Sequence, residues 1–345
     1  MLANSENSES TDRTTDYTME NTEESNHKCV NCRQSIFKRR LSGYDFDTGT
    51  KTFYLESCSN CELTRTAPIL DDSELSSYYE SGYYGSSEQK FNPLIEAWTV
   101  WSNNRLAKKI FSSAIRSVAS ETSKTKVLDV GCGRANLLKA FKSLGCDCYG
   151  VERTDFPSDD ELDGISIYKQ DINDIPFEEN EFDIVVIWHV LEHLVDPVTT
   201  LKRIQKILKP DGSLIIAVPN YGGLQSRLFG KHWFHLDLPR HTYHFTESSL
   251  KNITNKNGLT IESISTSSLD QSLFGFIQSA ANMLHLGKPN TLYEILKTAQ
   301  NKSTLLMKLL QLFTAGALLP FAIVEYLLST ITGTGACLIV KVDKK

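Results

Sequence analysis

Residues 127–141 read VLDVGCGRANLLKAF. A short apolar run ends in Asp129, a Gly-x-Gly follows at Gly131 and Gly133, and a proline-free segment with apolar residues at helical spacing begins at once. The pattern is strand, tight turn, helix, with glycines letting the backbone approach a ligand. The turn is not a phosphate loop, because Gly-Arg-Ala-Asn stands where Gly-Lys-Ser/Thr is required. Nor does a third glycine complete a dinucleotide fingerprint.

The acids around the turn narrow the ligand. Asp129 at the strand end repels a pyrophosphate but suits a cationic group such as an α-ammonium. About twenty residues on, YGVERTD ends the next strand in Glu152, the place for a carboxylate that accepts from ribose hydroxyls. In QDINDIPFEENEFDIVV, Asp171 is placed to accept from an adenine amino group. Together they point to an adenosine carrying an amino acid and no phosphate.

From residue 127 the chain alternates strand and helix patterns. Strands are expected at 127–130, 147–151, 165–168, 183–188, 213–218, 259–266 and 336–342, and helices near 134–144, 190–208 and 246–257. Such alternation implies an α/β fold with a parallel sheet and a ligand at the carboxyl ends of its strands.

These stretches resemble the class I S-adenosylmethionine-dependent methyltransferases over residues 125–345. VLDVGCGRA is similar to the family's first motif, with Ala135 where a third glycine is frequent. VERTD, QDINDIPFEENEFDIVV and ILKPDGSLIIAVPN follow in the family's order. The resemblance implies a Rossmann-like sheet of seven strands, the last antiparallel, and S-adenosyl-L-methionine as cofactor. It puts Asp129, Gly131 and Gly133 around the methionine part, Glu152 at the ribose, and Asp171 and Ile172 at the adenine.

The candidate chemistry lies in WHVLEHLVDP, residues 188–197, and LPRHTYHFTESSL, residues 238–250. A helix beginning at His189 sets His189, Glu192 and His193 on one face. Glu192 and His193, with His241 and His244, are the candidate catalytic residues, a neutral histidine being able to take an acceptor hydroxyl's proton; His189 is a candidate cofactor contact. In the alternative, His189 contacts the cofactor while Glu192 and His193 brace the helix start. A further reading, from small-RNA and ubiquinone-pathway O-methyltransferases with Glu-x-x-Glu-His at this place, is a Mg²⁺ or Mn²⁺ site; His189 replaces the first Glu.

Ahead of this domain, Cys29, Cys32, Cys58 and Cys61 form two C-x-x-C pairs, the ligand pattern of a structural zinc ribbon over 28–65. Four cysteines leave no open position for zinc catalysis. Residues 66–124 are expected to be a tyrosine-rich connector and a helical cover starting at Pro93. The net charge of −6 is carried by the first 27 residues. Those residues are polar and without apolar period, so a disordered acidic tail is expected. The near-neutral remainder disfavours a nucleic-acid partner. The tail has no apolar signal-like core, so a reducing cytoplasm is the expected compartment.

Ribbon, tyrosine-rich connector, WHVLEHLVDP and WFHLDLPRHTYHFTESSL together resemble a bacterial subgroup acting on sugars or surface-glycan precursors. That implies methyl transfer to a hydroxyl or carbon of a sugar, glycan precursor or lipid-linked acceptor. The aromatics of HWFHLDLPRH suit a sugar ring, and Arg240 suits a phosphate. The alternatives are a ubiquinone-pathway-like small-molecule O-methyltransferase, or a recruitment module with an inactive cofactor domain. An apolar helical insertion is expected at 270–332. Within it, Pro320 is expected to break 304–332 into two short helices, 304–318 and 320–331. That hairpin either dips into the cytoplasmic leaflet as a peripheral membrane contact, lids the acceptor pocket, or is buried.

Overall fold

The computed structural model describes residues 22–24, 27–45, 49, 51–79, 93–114, 124–153, 162, 164–297 and 303–344. Most of the acidic tail, the middle of the tyrosine-rich connector and the residue before Pro93 lie outside the described residues.

The first unit is a small antiparallel sheet of β1 (Thr22–Glu24), β2 (Ile36–Tyr44), β3 (Thr52–Cys58) and β4 (Thr64–Ala67). β1 corrects the tail: residues 22–24 pair with Ile36–Lys38 in β2. The connector supplies a one-turn helix α1 (Asp72–Ser76), closed by a capping box between Asp71 and Glu74. After it comes the long helix α2 (Pro93–Ala114), with proline in its first turn as read from the sequence.

The main sheet begins with β5 (Lys126–Val130), followed by α3 (Asn136–Ser143), β6 (Asp147–Val151), β7 (Ile165–Tyr168) and β8 (Phe182–Trp188). Then come α4 (Pro197–Ile207), β9 (Leu208–Pro219), α5 (Leu224–Phe229), the short β10 (Tyr243–His244), α6 (Glu247–Lys256) and β11 (Leu259–Ser265). The chain closes with α7 (Leu269–Met283), α8 (Thr291–Leu296), α9 (Leu305–Thr332) and β12 (Cys337–Lys344). The strand order is β11-β12-β9-β8-β5-β6-β7, and β12 runs antiparallel to the other six strands. β5 and β8 are mostly apolar because helices cover both faces; Asp129 and Asp183 are the buried exceptions. Leu138 and Phe141 of α3 pack with Ala107 and Ile110 of α2 on one side. Leu201 and Ile204 of α4 pack with Leu250 and Ile253 of α6 on the other.

Two expectations fail, each for a local reason. Residues 190–208 do not form one helix. A single 3-10 turn, Leu191–His193, is followed by α4. Pro197 disfavours helical backbone at Asp196. Asp196 instead caps α4 by accepting from the amides of Val198 and Thr199. Nor does Pro320 break 304–332, because α9 runs through it unbroken. Gln225 Nε2 donates both to the Ser272 carbonyl of α7 and to Glu325 of α9. At the other end, Gln311 of α9 donates to the Leu286 carbonyl just beyond α7. α7 and α9 are therefore antiparallel and held along their length. That packing outweighs a proline's cost of about 3 kcal/mol. The return that lets β12 enter the sheet is made by α7 and α9 together, not within α9.

Candidate active site

The strand register places Val130, Val151, Tyr168 and Ile187 side by side, so the segments leaving β5 to β8 emerge at one edge. Gly131 (φ +74°) and Gly133 (φ +48°) turn the chain there, and Ala135 (φ +54°) completes the turn into α3. The position where a third glycine is frequent thus needs left-handed backbone, which Ala135 adopts at a modest cost. The Gly131 amide donates to the Val151 carbonyl at 2.7 Å, and the Gly133 amide to Glu152 Oε2 at 3.0 Å. A β-carbon on Gly133 would meet open space, whereas one on Gly131 would stand 2.4 Å from Val190 Cγ2.

Asp129 is buried beneath this turn. Burial, with the charge of Glu152 second, pushes its carboxyl up to about 8. Two acids close enough for the charge of Glu152 to raise Asp129 leave a deficit of positive charge beside the turn. A ligand with a cationic sulfonium and ammonium fits that deficit. Asp171 is half-buried, and its Oδ1 accepts from the backbone and side chain of Asn173, closing its own turn. Ile172 beside it is buried in the main core.

The exit from β8 carries the second half of the site. His189 takes left-handed backbone (φ +55°), which swings the chain back toward Glu192. His189 Nδ1 lies 3.2 Å from Glu192 Oε1, and its Nε2 faces Cys337 Sγ at 3.8 Å. His189 and Glu192 therefore meet through a turn rather than a shared helix face, and His193 makes its hydrogen bonds on another side. His193 Nδ1 lies 3.1 Å from the Arg240 carbonyl and 3.1 Å from Tyr79 Oη. His241 Nδ1 lies 2.9 Å from the His235 carbonyl. A carbonyl only accepts, so both histidines carry a proton on Nδ1.

Glu192, His193 and His241 each bring one donor atom to within 4.8 Å of the others. Glu192 is buried, and its Oε2 accepts no hydrogen bond from the described residues. Burial alone would raise its carboxyl. The hydrogen bond from His189 and the nearby imidazoles outweigh burial and hold it low, as an anion. One carboxylate and two imidazoles thus converge. That arrangement can hold a cation or take a proton from a hydroxyl.

His244 lies behind His241 rather than in this cluster; its Nε2 is 2.9 Å from Thr66 Oγ1. Two expectations from HWFHLDLPRH change. Arg240 is buried and engages Asp237 through both Nε and Nη2, so it is not presented to a phosphate. Trp233 is buried beside Phe53 and Leu55 and offers no stacking face to a sugar.

The four cysteines come together as expected. Cys29 and Cys61 sulfurs are 3.5 Å apart, and Cys32 and Cys58 sulfurs 3.4 Å apart. A zinc–sulfur tetrahedron with bonds of about 2.3 Å has edges of about 3.8 Å, so the set needs only slight expansion to hold the ion. The Cys61 thiol is pushed down to about 5 by the hydrogen bond from Cys29, whose own thiol rises as it keeps the proton. Both knuckles share one geometry: Arg33 (φ +64°) donates to the Cys29 carbonyl, and Glu62 (φ +61°) to that of Cys58.

Three contributors escaped the sequence reading. Thr66 of β4 binds His244 and the His241 carbonyl, and β10 extends the small sheet through the Tyr243–Arg65 and His244–Thr64 pairs. Tyr79 reaches the cluster from the connector. Asp237 faces Arg240 and His241, three and four residues on, and that spacing was the available signal.

Residues 102–264 match the family model described as a methyltransferase domain. The strand order and the glycine turn are in keeping with that match. The chain is 30% identical to a ubiquinone biosynthesis O-methyltransferase of Actinobacillus pleuropneumoniae serotype 7, over 38% of this chain and 63% of that protein. It is 28% identical to the protein of the same name in Haemophilus ducreyi, over 38% of this chain and 62% of that protein. The chain thus spans less than two thirds of these relatives' length. Among solved structures, 1,6-didemethyltoxoflavin-N1-methyltransferase of Burkholderia thailandensis, with S-adenosylhomocysteine bound, matches at TM-score 0.42. It shows 18% identity and covers 65% of this chain and 91% of that one. A mitomycin 7-O-methyltransferase matches at TM-score 0.41 and 16% identity, covering 72% of this chain and 54% of that one.

Proposed function

We propose that this chain transfers a methyl group from S-adenosyl-L-methionine to a hydroxyl oxygen of a small or lipid-linked acceptor. The carrying observation is the contact of Val190 with Gly131. It seats the loop bearing Glu192 and His193 directly on the glycine turn, so the cofactor's place and the polar cluster adjoin.

The bound cofactor supplies an electrophilic methyl on a sulfonium. Asp129 and Glu152 supply the negative charge that its cationic part requires. Glu192, His193 and His241 orient the acceptor hydroxyl and take its proton as the new carbon–oxygen bond forms. His189 holds Glu192 in place, while Asp237 and the His235 carbonyl fix the ring of His241. His244 and Thr66 brace the loop from behind. An oxygen acceptor is in keeping with the names of the curated relatives; a sugar or glycan precursor remains the acceptor suggested by the sequence as a whole.

A second reading concerns a divalent ion. One carboxylate and two imidazole lone pairs form a donor set that suits Mn²⁺, Fe²⁺ or Zn²⁺ better than Mg²⁺, which demands oxygen ligands. There the ion would polarise the acceptor oxygen. The four-cysteine set is proposed to hold a separate, structural zinc.

The test is turnover of labelled S-adenosylmethionine to S-adenosylhomocysteine with a panel of catechols, glycosides and polyprenyl-linked sugars. Acceptor-dependent turnover supports the enzyme. Cofactor binding without turnover on any of them would point to an inactive, recruiting domain instead.

A further inference from the structure

α9 is amphipathic in the wrong sense for a helix facing water. Its inward stripe, at a spacing of three and four, is Gln311, Thr314, Ala315, Leu318, Ala322, Glu325, Tyr326 and Ser329. Most of the polar residues of α9 lie there, and several are paired. Glu325 accepts from Gln225 at 2.8 Å, Tyr326 Oη meets Ser267 Oγ at 2.9 Å, and Gln311 donates to the Leu286 carbonyl. The outward face carries Leu306, Phe313, Phe321, Val324, Leu328 and Ile331, with Phe313 76% and Ile331 82% exposed. Globular helices facing water do the reverse, and apolar surface on this scale marks an interaction site.

A second observation names the partner. Lys231, Lys288 and Lys308 fall near the amino end of α9, on segments joined by the neighbouring His232–His285 and Gly287–Met307 approaches. The His232 and His285 rings are 5.4 Å apart, and the Gly287 β-position lies 3.5 Å from Met307 Sδ. Glu294 nearby is already paired with Lys297. An apolar face with a cationic end matches a bilayer with anionic headgroups.

We propose that the outer face of α9 docks on a lipid bilayer, with the helix axis along the membrane plane and the apolar residues in the headgroup–acyl boundary. A crossing is disfavoured. α9 is about 42 Å long, against a hydrocarbon core of about 30 Å, and crossing would strip Glu325 and Gln311 from their partners. The docked face is one helix away from the candidate active site. A β-carbon on Gly275 of α7 would lie 2.5 Å from His235 Nε2, and the His235 carbonyl holds His241. Bilayer docking stands on α9 alone and does not depend on methyl transfer.

The experiment is flotation of the full chain, exchanged from detergent into vesicles of phosphatidylcholine, with or without phosphatidylglycerol. Its control is the variant Phe313→Gln/Phe321→Gln/Val324→Gln/Leu328→Gln, whose changes are all on exposed positions. The wild type floats, more so with phosphatidylglycerol, and the variant floats at least about tenfold less. The variant keeps its melting temperature and its affinity for S-adenosylhomocysteine. A wild type that stays at the bottom of both gradients overturns the proposal; a stable detergent-free dimer in the same sample would assign the face to a second copy. Equal flotation of the variant overturns it as well.

Discussion

Thr66 of the small sheet lies 2.9 Å from His244 Nε2 and donates to the His241 carbonyl at 2.6 Å. The cysteine-bearing unit is therefore bolted to the loop that carries the catalytic candidates. Phe37 and Leu63 share the main core and Phe53 and Leu55 pack with Trp233 and Leu236, so a bound zinc would fix the two cysteine knuckles rather than the whole unit. Cys58→Ser is expected to lose the metal by elemental analysis. Turnover should fall at least about tenfold as the His241 loop loosens, while affinity for S-adenosylhomocysteine stays within about twofold. Loss of cofactor affinity alongside turnover would mean that the small sheet supports the whole domain.

Gly131 is caught between two demands. Its φ of +74° is left-handed, and a β-carbon there meets Val190 at 2.4 Å. Gly131→Ala should destabilise the chain by about 1–3 kcal/mol and weaken cofactor binding. Val190→Ala made on top of it removes the clash but not the backbone strain, so about half the loss should return. A double variant no better than Gly131→Ala alone would assign the whole cost to backbone conformation. Melting curves of the four proteins decide between these.

The strand, glycine turn and helix that carry the candidate cofactor residues were legible because they are local. A strand, a turn and an acid lie within a few residues at β5 and again at β6, and β-sheet register then aligns them. The acceptor half was only partly legible. His241 and Glu192 are named by residue type, but their meeting depends on the left-handed turn at His189. Thr66 and Tyr79 reach the site from far upstream in the chain, with no motif of their own. Arg240 and Trp233 were misread because residue type alone does not tell a buried partner from an exposed one. Pro320 was misread because helix packing against α7 overrides local propensity.

The buried histidines set the acid limit of the fold. Burial, first among the causes, holds His235 and His241 down to about 4 and His244 down to about 3. Unfolded, each titrates near 6.5. A depressed histidine leaves the unfolded state binding more protons, so stability is full above about pH 6.5 and falls as pH drops toward 4. Each contributes on the order of 3 kcal/mol over that window, and together they approach the whole stability of a typical domain, about 5–15 kcal/mol. The melting temperature should therefore drop steeply between neutral pH and about pH 5. His244→Gln should flatten that slope. A melting temperature constant down to about pH 5 would contradict neutral burial of these rings.

Asp129 works in the opposite direction. Burial and Glu152 raise its carboxyl to about 8, so in the free protein it keeps its proton at neutral pH. Its contribution to stability is complete below the unfolded carboxyl value near 3.9 and is lost as pH rises through about 8. A cationic ligand needs the carboxylate, so binding should expel that proton. Affinity for S-adenosylmethionine should rise by up to about tenfold per pH unit below 8 and level off above it. Calorimetry in two buffers of different ionisation enthalpy reads the released proton directly. Asp129→Asn should bind more weakly and show no release. Glu152→Gln should also bind more weakly, but it lowers the Asp129 carboxyl and so shifts the levelling-off to lower pH. Binding by the wild type without proton release at neutral pH would place the cation elsewhere than beside Asp129.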